Sequence, residues 1–225
     1  MTQLFLKVEM SFRVRGVNKQ NEIISVDKAK LEELERHKEP KDKEWSFVKI
    51  HIGLVPVPTS DYKLKGFFLF VVGKLADGKI VLLDMLEVDD VVNISSWERN
   101  HAAQIGQQTC EFVYVVEDNM GRMHEWINQA LNKRHQSDND RSCIGWKRTV
   151  TTDKEAFKFI CDCVGNGNLV FGHVQDRSAD YFGKFMALFE SARFTGWMCY
   201  KTETLESPFQ PHIFDAFLMV MHCNF

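Results

Sequence analysis

Three groups of side chains in this sequence carry residue types suited to chemistry. His173, Asp176 and Arg177 follow an apolar run, Leu169 to Val174, and precede a helical pattern that Asp176 or Ser178 can cap. Backbone N–H groups and the dipole at a helix start favour anions, so this trio is predicted to bind a ligand of phosphate-ester type. Asp84, Glu87, Asp89 and Asp90 gather where another apolar run ends. Carboxylates at a strand end can hold magnesium for phosphoryl chemistry, although a solvated acidic loop is the simpler reading. Trp146, Lys147 and Arg148, near Lys133, Arg134 and Arg141 in sequence, join an aromatic ring to positive charge. That pairing holds single-stranded nucleic acid, here diluted by Asp138 and Asp140.

Other arrangements are excluded on geometry. Cys161 and Cys163 resemble half a zinc site, with His173, His222 and Cys223 as possible partners. They fall on a predicted helix, however, where residues two apart point roughly 200° away from each other, so no metal is expected. Gly165-Asn166-Gly167 precedes a strand, whereas a dinucleotide loop must follow one. Signatures of a phosphate loop, a serine hydrolase elbow or a zinc protease helix do not occur. No cofactor is expected.

The elements that must position these groups follow from hydropathy periods. Leu4 to Val14 alternates as a half-buried strand, and Val48, Ile50, Ile52 and Leu54 alternate with Lys49, His51 and Gly53 as another, which places His51 on an open, polar face. Phe67–Leu75 and Lys79–Met85 are nearly continuous in apolar residues and are joined by Asp77-Gly78, predicting a central hairpin covered on both faces. Strands are also predicted at Cys110–Val116, Ile144–Val150, Leu169–Val174 and Trp197–Thr202. Helices are predicted at 27–38, after Ser95, after Asn119, from a Thr152/Glu155 capping box to Gly165, and from Ser178 to Gly196. The inward stripes of the last two are Ala156, Phe159, Ile160 and Cys163, and Phe182, Phe185, Phe189 and Ala192. Ile213–Met221 is apolar all round and fits a buried helix or a buried strand.

The fold class predicted is α+β, a mostly antiparallel sheet with a central hairpin packed by about five helices. One domain is expected over 1–225, with a possible sub-domain boundary in the polar loop 136–142. Of 225 residues, 44% are hydrophobic and 26% charged, with a net charge of −3, which excludes a disordered chain and argues against one built mainly to neutralise phosphates. Scattered cysteines, and an amino terminus interrupted by Lys7, Glu9 and Ser11, suggest reduced thiols and a cytoplasmic or nuclear location without a membrane segment. Eighteen Phe, five Trp and nine Met exceed what a bare core obviously needs, and such side chains are enriched at interfaces. The leading expectation is therefore a protein-interaction or adaptor module, not an enzyme, whose partner is another protein. The alternatives are a phosphate-ester hydrolase or nuclease with a His/Asp or carboxylate–metal site, and an RNA-binding protein.

Overall fold

Six strands form one mixed sheet in the order β6-β5-β2-β3-β4-β7, where β2 is Phe47–Pro58, β3 Leu64–Leu75, β4 Ile80–Val88, β5 Glu111–Glu117, β6 Arg141–Trp146 and β7 Leu169–Phe171. The computed structural model describes residues 24–36, 45–58, 64–89, 110–117, 125, 127–129, 141–172, 179–194, 198–199 and 210–224. The predicted Leu4–Val14 strand and the helix after Ser95 lie outside them, as does most of the loop 136–142. Within the sheet, β2 pairs antiparallel with β3, and β3 with β4. The pairs β2–β5, β5–β6 and β4–β7 are parallel. The sheet is therefore mixed rather than mostly antiparallel. Its outer strands are separated in sequence from their partners by segments long enough for crossovers, which parallel pairing requires.

Four helices are described from end to end: α1 Lys28–Arg36, α2 Val150–Gly165, α3 Ala179–Ser191 and α4 Gln210–His222. Residues 127–129 are helical as well, in keeping with the α+β class and about five helices. A small antiparallel sheet joins β1 (Ile24–Ser25), β8 (Arg193–Phe194) and β9 (Met198–Cys199) in the order β1-β8-β9. Among the described residues no helix is long and apolar enough to cross a membrane.

The central hairpin is β3–β4, and Gly78 supplies the positive φ of 87° that its tight turn needs. Both faces of the sheet are covered. Ile50, Ile52, Leu54, Leu69, Val71, Tyr114 and Val116 pack on one face with Ile127. Val55, Phe68, Phe70, Val72, Val113 and Val115 pack on the other against α2, α3 and α4. On that helical face Phe70 lies 4.9 Å from Phe217 and 5.2 Å from Phe185, ring centre to ring centre, and Phe189 and Phe214 complete the cluster. These phenylalanines thus serve the interior. The only large hydrophobic side chains exposed among the described residues are Val48, Ile144 and Val150, none of them aromatic.

Two expectations about β2 and α4 change together. His51 was expected on an open face, yet it is 3% exposed. The His51, Gly53, Val55 side of the strand is roofed by α4, and a Cβ on Gly53 would stand 2.6 Å from Val220 Cγ1 and 2.9 Å from the Ala216 carbonyl oxygen. Gly53 is a close-approach position rather than a solvent-facing one. The apolar stretch 213–221 is a helix because that side of the sheet needs a roof. Helix α2 also begins earlier than predicted: Thr149 is its N-cap, in a capping box with Thr152 rather than one of Thr152 with Glu155. Its buried face includes Ala156, Phe157, Ile160 and Cys163, while Phe159 is only half-buried.

Candidate functional site

The parallel register of β2, β5 and β6 brings their carboxyl ends to one side of the sheet, the place where crossover connections leave room for ligands. Strand β5 ends at Glu117, which pairs with Trp146 at the end of β6. The alternation of Val113 and Val115 carries Glu117 to the helical face. Two residues beyond β6 the chain passes Arg148, and the Thr149 cap then starts α2 so that Asp153 falls in its first turn, a favourable place for a carboxylate against the helix dipole. Helix α4, seated over Gly53, brings Asp215 in from above.

Arg148 joins these elements. Its Nε donates to Asp153 Oδ2 at 3.0 Å, and its Nη1 lies 2.7 Å from Asp215 Oδ2. Both aspartates are 8% exposed, and the Oδ1 atom of each is buried with no hydrogen-bond partner among the described residues. Burial raises the Asp215 pKa to about 6 against the pull of Arg148, with Glu117 and Asp153 adding to the rise. Burial likewise raises Asp153 despite Arg148. Burial works against the charge of Arg148, but Asp215 and then Asp153 outweigh it and hold the guanidinium protonated. The two partners pull on each other unequally: the guanidinium stays charged, whereas Asp215 keeps a proton affinity unusually close to neutrality because desolvation outweighs a single cation.

The residues singled out from the sequence fall differently. Trp146 is 5% exposed, and its ring meets His222 edge-on, 6.1 Å between centres, so its faces are not open for stacking on bases. Lys147 is exposed, and Arg148 is committed to the aspartates. The three do not form the exposed basic platform that was expected. Asp84 is buried, accepts from the Met85 N–H at 2.8 Å, and pairs with Val71 on the face away from α4. Glu87 pairs with Phe68 on the helical face, and Asp89 is exposed. The acidic run is thereby split between two faces. His173, Asp176, Arg177 and Asp90 lie outside the described residues. Cys161 and Cys163 share α2, and burial raises their thiols to about 12 and about 11, the inert state of buried thiols.

Glu117, Asp153 and Asp215 were not picked out from the sequence, though two of them left a signal. Asp215 is the sole charge in the apolar run 213–221, and Glu117 closes an apolar strand. A charge kept inside a segment otherwise destined for the core is costly unless paired.

No protein-family model matches the sequence, nor does any curated protein sequence. Solved structures do resemble the fold. The human cytomegalovirus terminase nuclease domain superposes with a TM-score of 0.56 at 11% identity, covering 88% of this chain and 93% of that one. A manganese-soaked, inhibitor-bound crystal of the same domain gives 0.54 at 9% identity, covering 88% and 94%. The chain therefore has the fold of a nuclease domain. This overturns the adaptor reading, whose premise of surplus exposed aromatics is also not met by the described residues.

Glu117, Asp153 and Asp215 offer the carboxylate oxygens that magnesium and manganese prefer. As arranged they do not fit a resident ion, because a guanidinium stands between two of them. Moreover, no group of three or more His, Cys, Asp or Glu side chains among the described residues is placed to hold one.

Proposed function

We propose that this chain is a nuclease, hydrolysing phosphodiester bonds of nucleic acid at the carboxyl end of β5. The observation that carries the reading is the convergence there of Arg148 with the buried carboxylates Asp153 and Asp215. The likeness to terminase nuclease domains along most of the chain supports it. Hydrolysis of a phosphodiester needs positive charge facing the phosphate and an acceptor for the proton of the attacking water. Among the described residues Arg148 is a cation at this end of the sheet, held between Asp153 and Asp215. Asp215, with a pKa of about 6, is ionised at neutral pH yet basic enough to take a proton, the property that suits a general base.

The test is cleavage of single- and double-stranded DNA and RNA, with magnesium or manganese and with chelator. Asp215→Asn, folded as judged by circular dichroism, should lower the cleavage rate by about 100-fold or more, the usual loss on removing a general base. Activity of the unaltered chain should rise as pH increases through about 6, where Asp215 loses its proton. Intact substrates under every condition, or cleavage indifferent to Asp215, would overturn the reading.

A further inference from the structure

Most of the described basic side chains are committed to carboxylates. Lys28, Lys30, Arg36, Lys49 and Lys79 each stand within 4.0 Å of an aspartate or glutamate oxygen, and Arg148 is held between two. Lys147, Lys154 and Lys158 are exposed and have no ion pair among the described residues. Arg193 shares that state but belongs to the small sheet, on β8. We infer that the three lysines form a ridge that holds the sugar–phosphate backbone of nucleic acid and carries the strand along α2, away from Arg148. The inference rests on the proposed function and deepens it, by naming the surface that positions the strand the site would cut.

Three observations carry it. First, the ridge is continuous with the candidate site. Lys147 adjoins Arg148 in the segment leading to the Thr149 cap, and Lys154 follows Asp153 at the end of the first turn of α2. Lys154 and Lys158 are one turn apart, so they stand on one face with their Cβ atoms about 5–6 Å from each other. From the cap to Lys158 the helix rises roughly 14 Å, the length of about four nucleotides of one strand. Second, the carboxylates of α2 leave that face positive. Asp153 is turned inward to Arg148, and Glu155 faces His222 at 3.5 Å. Asp162, exposed one turn beyond Lys158, ends the ridge. Third, the ridge meets charge rather than bases. Trp146 is buried, and none of the large hydrophobic side chains exposed among the described residues is aromatic, so they offer bases no platform for stacking. An ammonium on a flexible stem instead meets a phosphate as a point charge. Such contacts fix position and register without reading sequence, and each releases bound counterions.

The experiment measures Kd by fluorescence anisotropy, in chelator, for a short DNA duplex and for one of its strands, over a series of potassium chloride concentrations. Binding by the unaltered chain should weaken steeply as salt rises. Lys147→Gln, Lys154→Gln and Lys158→Gln should each flatten the slope of log Kd against log salt by about 0.9 on duplex or about 0.7 on single strand, and the triple variant by about 2–3. Lys28→Gln, Lys30→Gln and Lys79→Gln combined remove the same charge elsewhere and should leave the slope as it was. Arginine at all three ridge positions should preserve it. Glutamine matches lysine closely in helix propensity, so the triple variant should keep its circular dichroism. If it does not, the three single variants decide the question by the same slopes. The inference is overturned if neither probe is bound, if removing the ridge lysines leaves the slope unchanged on both probes, or if the control set flattens it as much. Binding through the ridge, with nucleic acid left intact under every cleavage condition, would sink the proposed function alone. Asp215-dependent cleavage with a salt slope indifferent to the three lysines would sink this inference alone.

Discussion

The two ends of the helical face of the sheet bury charge-bearing groups in opposite ways. At the amino end of β2, His51 lies under the end of α4 with its Nδ1 unpartnered among the described residues. Burial, followed by the nearby Lys49 and Lys74, lowers its pKa to about 4, so it stays neutral. The only ion pair described beside it, Lys49 with Glu111 at 2.8 Å, is exposed. At the carboxyl end, Asp215 is equally buried but keeps a charged partner in Arg148, and its pKa rises to about 6. One end disposes of charge, while the other gathers it at considerable desolvation cost. Burying an ion pair is seldom the most stable solution for a core, and the nuclease proposed above would use the charge kept at the carboxyl end.

The largest test of this contrast is Arg148→Met, which strips the cation from two buried aspartates. Urea unfolding at pH 7 should show a loss of about 3–5 kcal/mol, as for other broken buried pairs. The loss should shrink toward pH 5 as Asp215 takes up a proton.

Next in size is the pH response of the two ends. His51 has its pKa lowered from 6.5 to about 4, so its contribution to stability is present above pH 6.5 and is lost as pH falls through 4. Asp215 has its pKa raised from 3.8 to about 6, so its contribution is complete below pH 4 and is lost as pH rises through 6. Each shift corresponds to about 3 kcal/mol. The two oppose each other across the same window and should nearly cancel in the unaltered chain. His51→Gln should make stability increase on acidification from pH 6.5 to 4, and Asp215→Asn should make it decrease. Denaturant midpoints across that range check both, and parallel curves for the two variants would show that neither group titrates as described.

Between the two ends lies Gly53, which lets α4 rest on the sheet. Gly53→Ala should cost about 1–3 kcal/mol through overpacking against the Ala216 backbone and, by lifting α4, should loosen the Asp215–Arg148 contact. Unfolding curves paired with the cleavage rate would register both. Lys49→Ala, which breaks the exposed pair with Glu111, should change the unfolding free energy by less than about 1 kcal/mol. A loss as large as that of Arg148→Met would erase the contrast between the ends.

How far the sequence revealed this arrangement depended on range. The hairpin β3–β4 was legible because Asp77-Gly78 and its flanking apolar runs are neighbours in the chain. The helix ending at Gly165 was legible too, although its cap moved from Thr152 to Thr149. Pairing of β5 with both β2 and β6 was not legible, since parallel register is set by contacts between distant segments. The alternation in β2 misled for the same reason: His51 and Gly53 resemble a wet face until the helix that covers them is placed. Without that helix nothing signals that Asp215 meets Arg148 and Asp153, because it comes from a stretch of sequence far beyond the one those two share.

That dependence on α4 has a consequence for biogenesis. Helix α4 packs on β2 and β3, strands formed from the first third of the sequence, and supplies Phe214, Phe217 and Val220 to the core of that face. During synthesis Val55, Phe68, Phe70 and Val72 emerge long before their cover does, and contacts so distant in sequence close slowly. A nascent chain halted short of Gln210 therefore leaves part of this apolar face without its α4 cover, the kind of surface that chaperones and aggregates compete for.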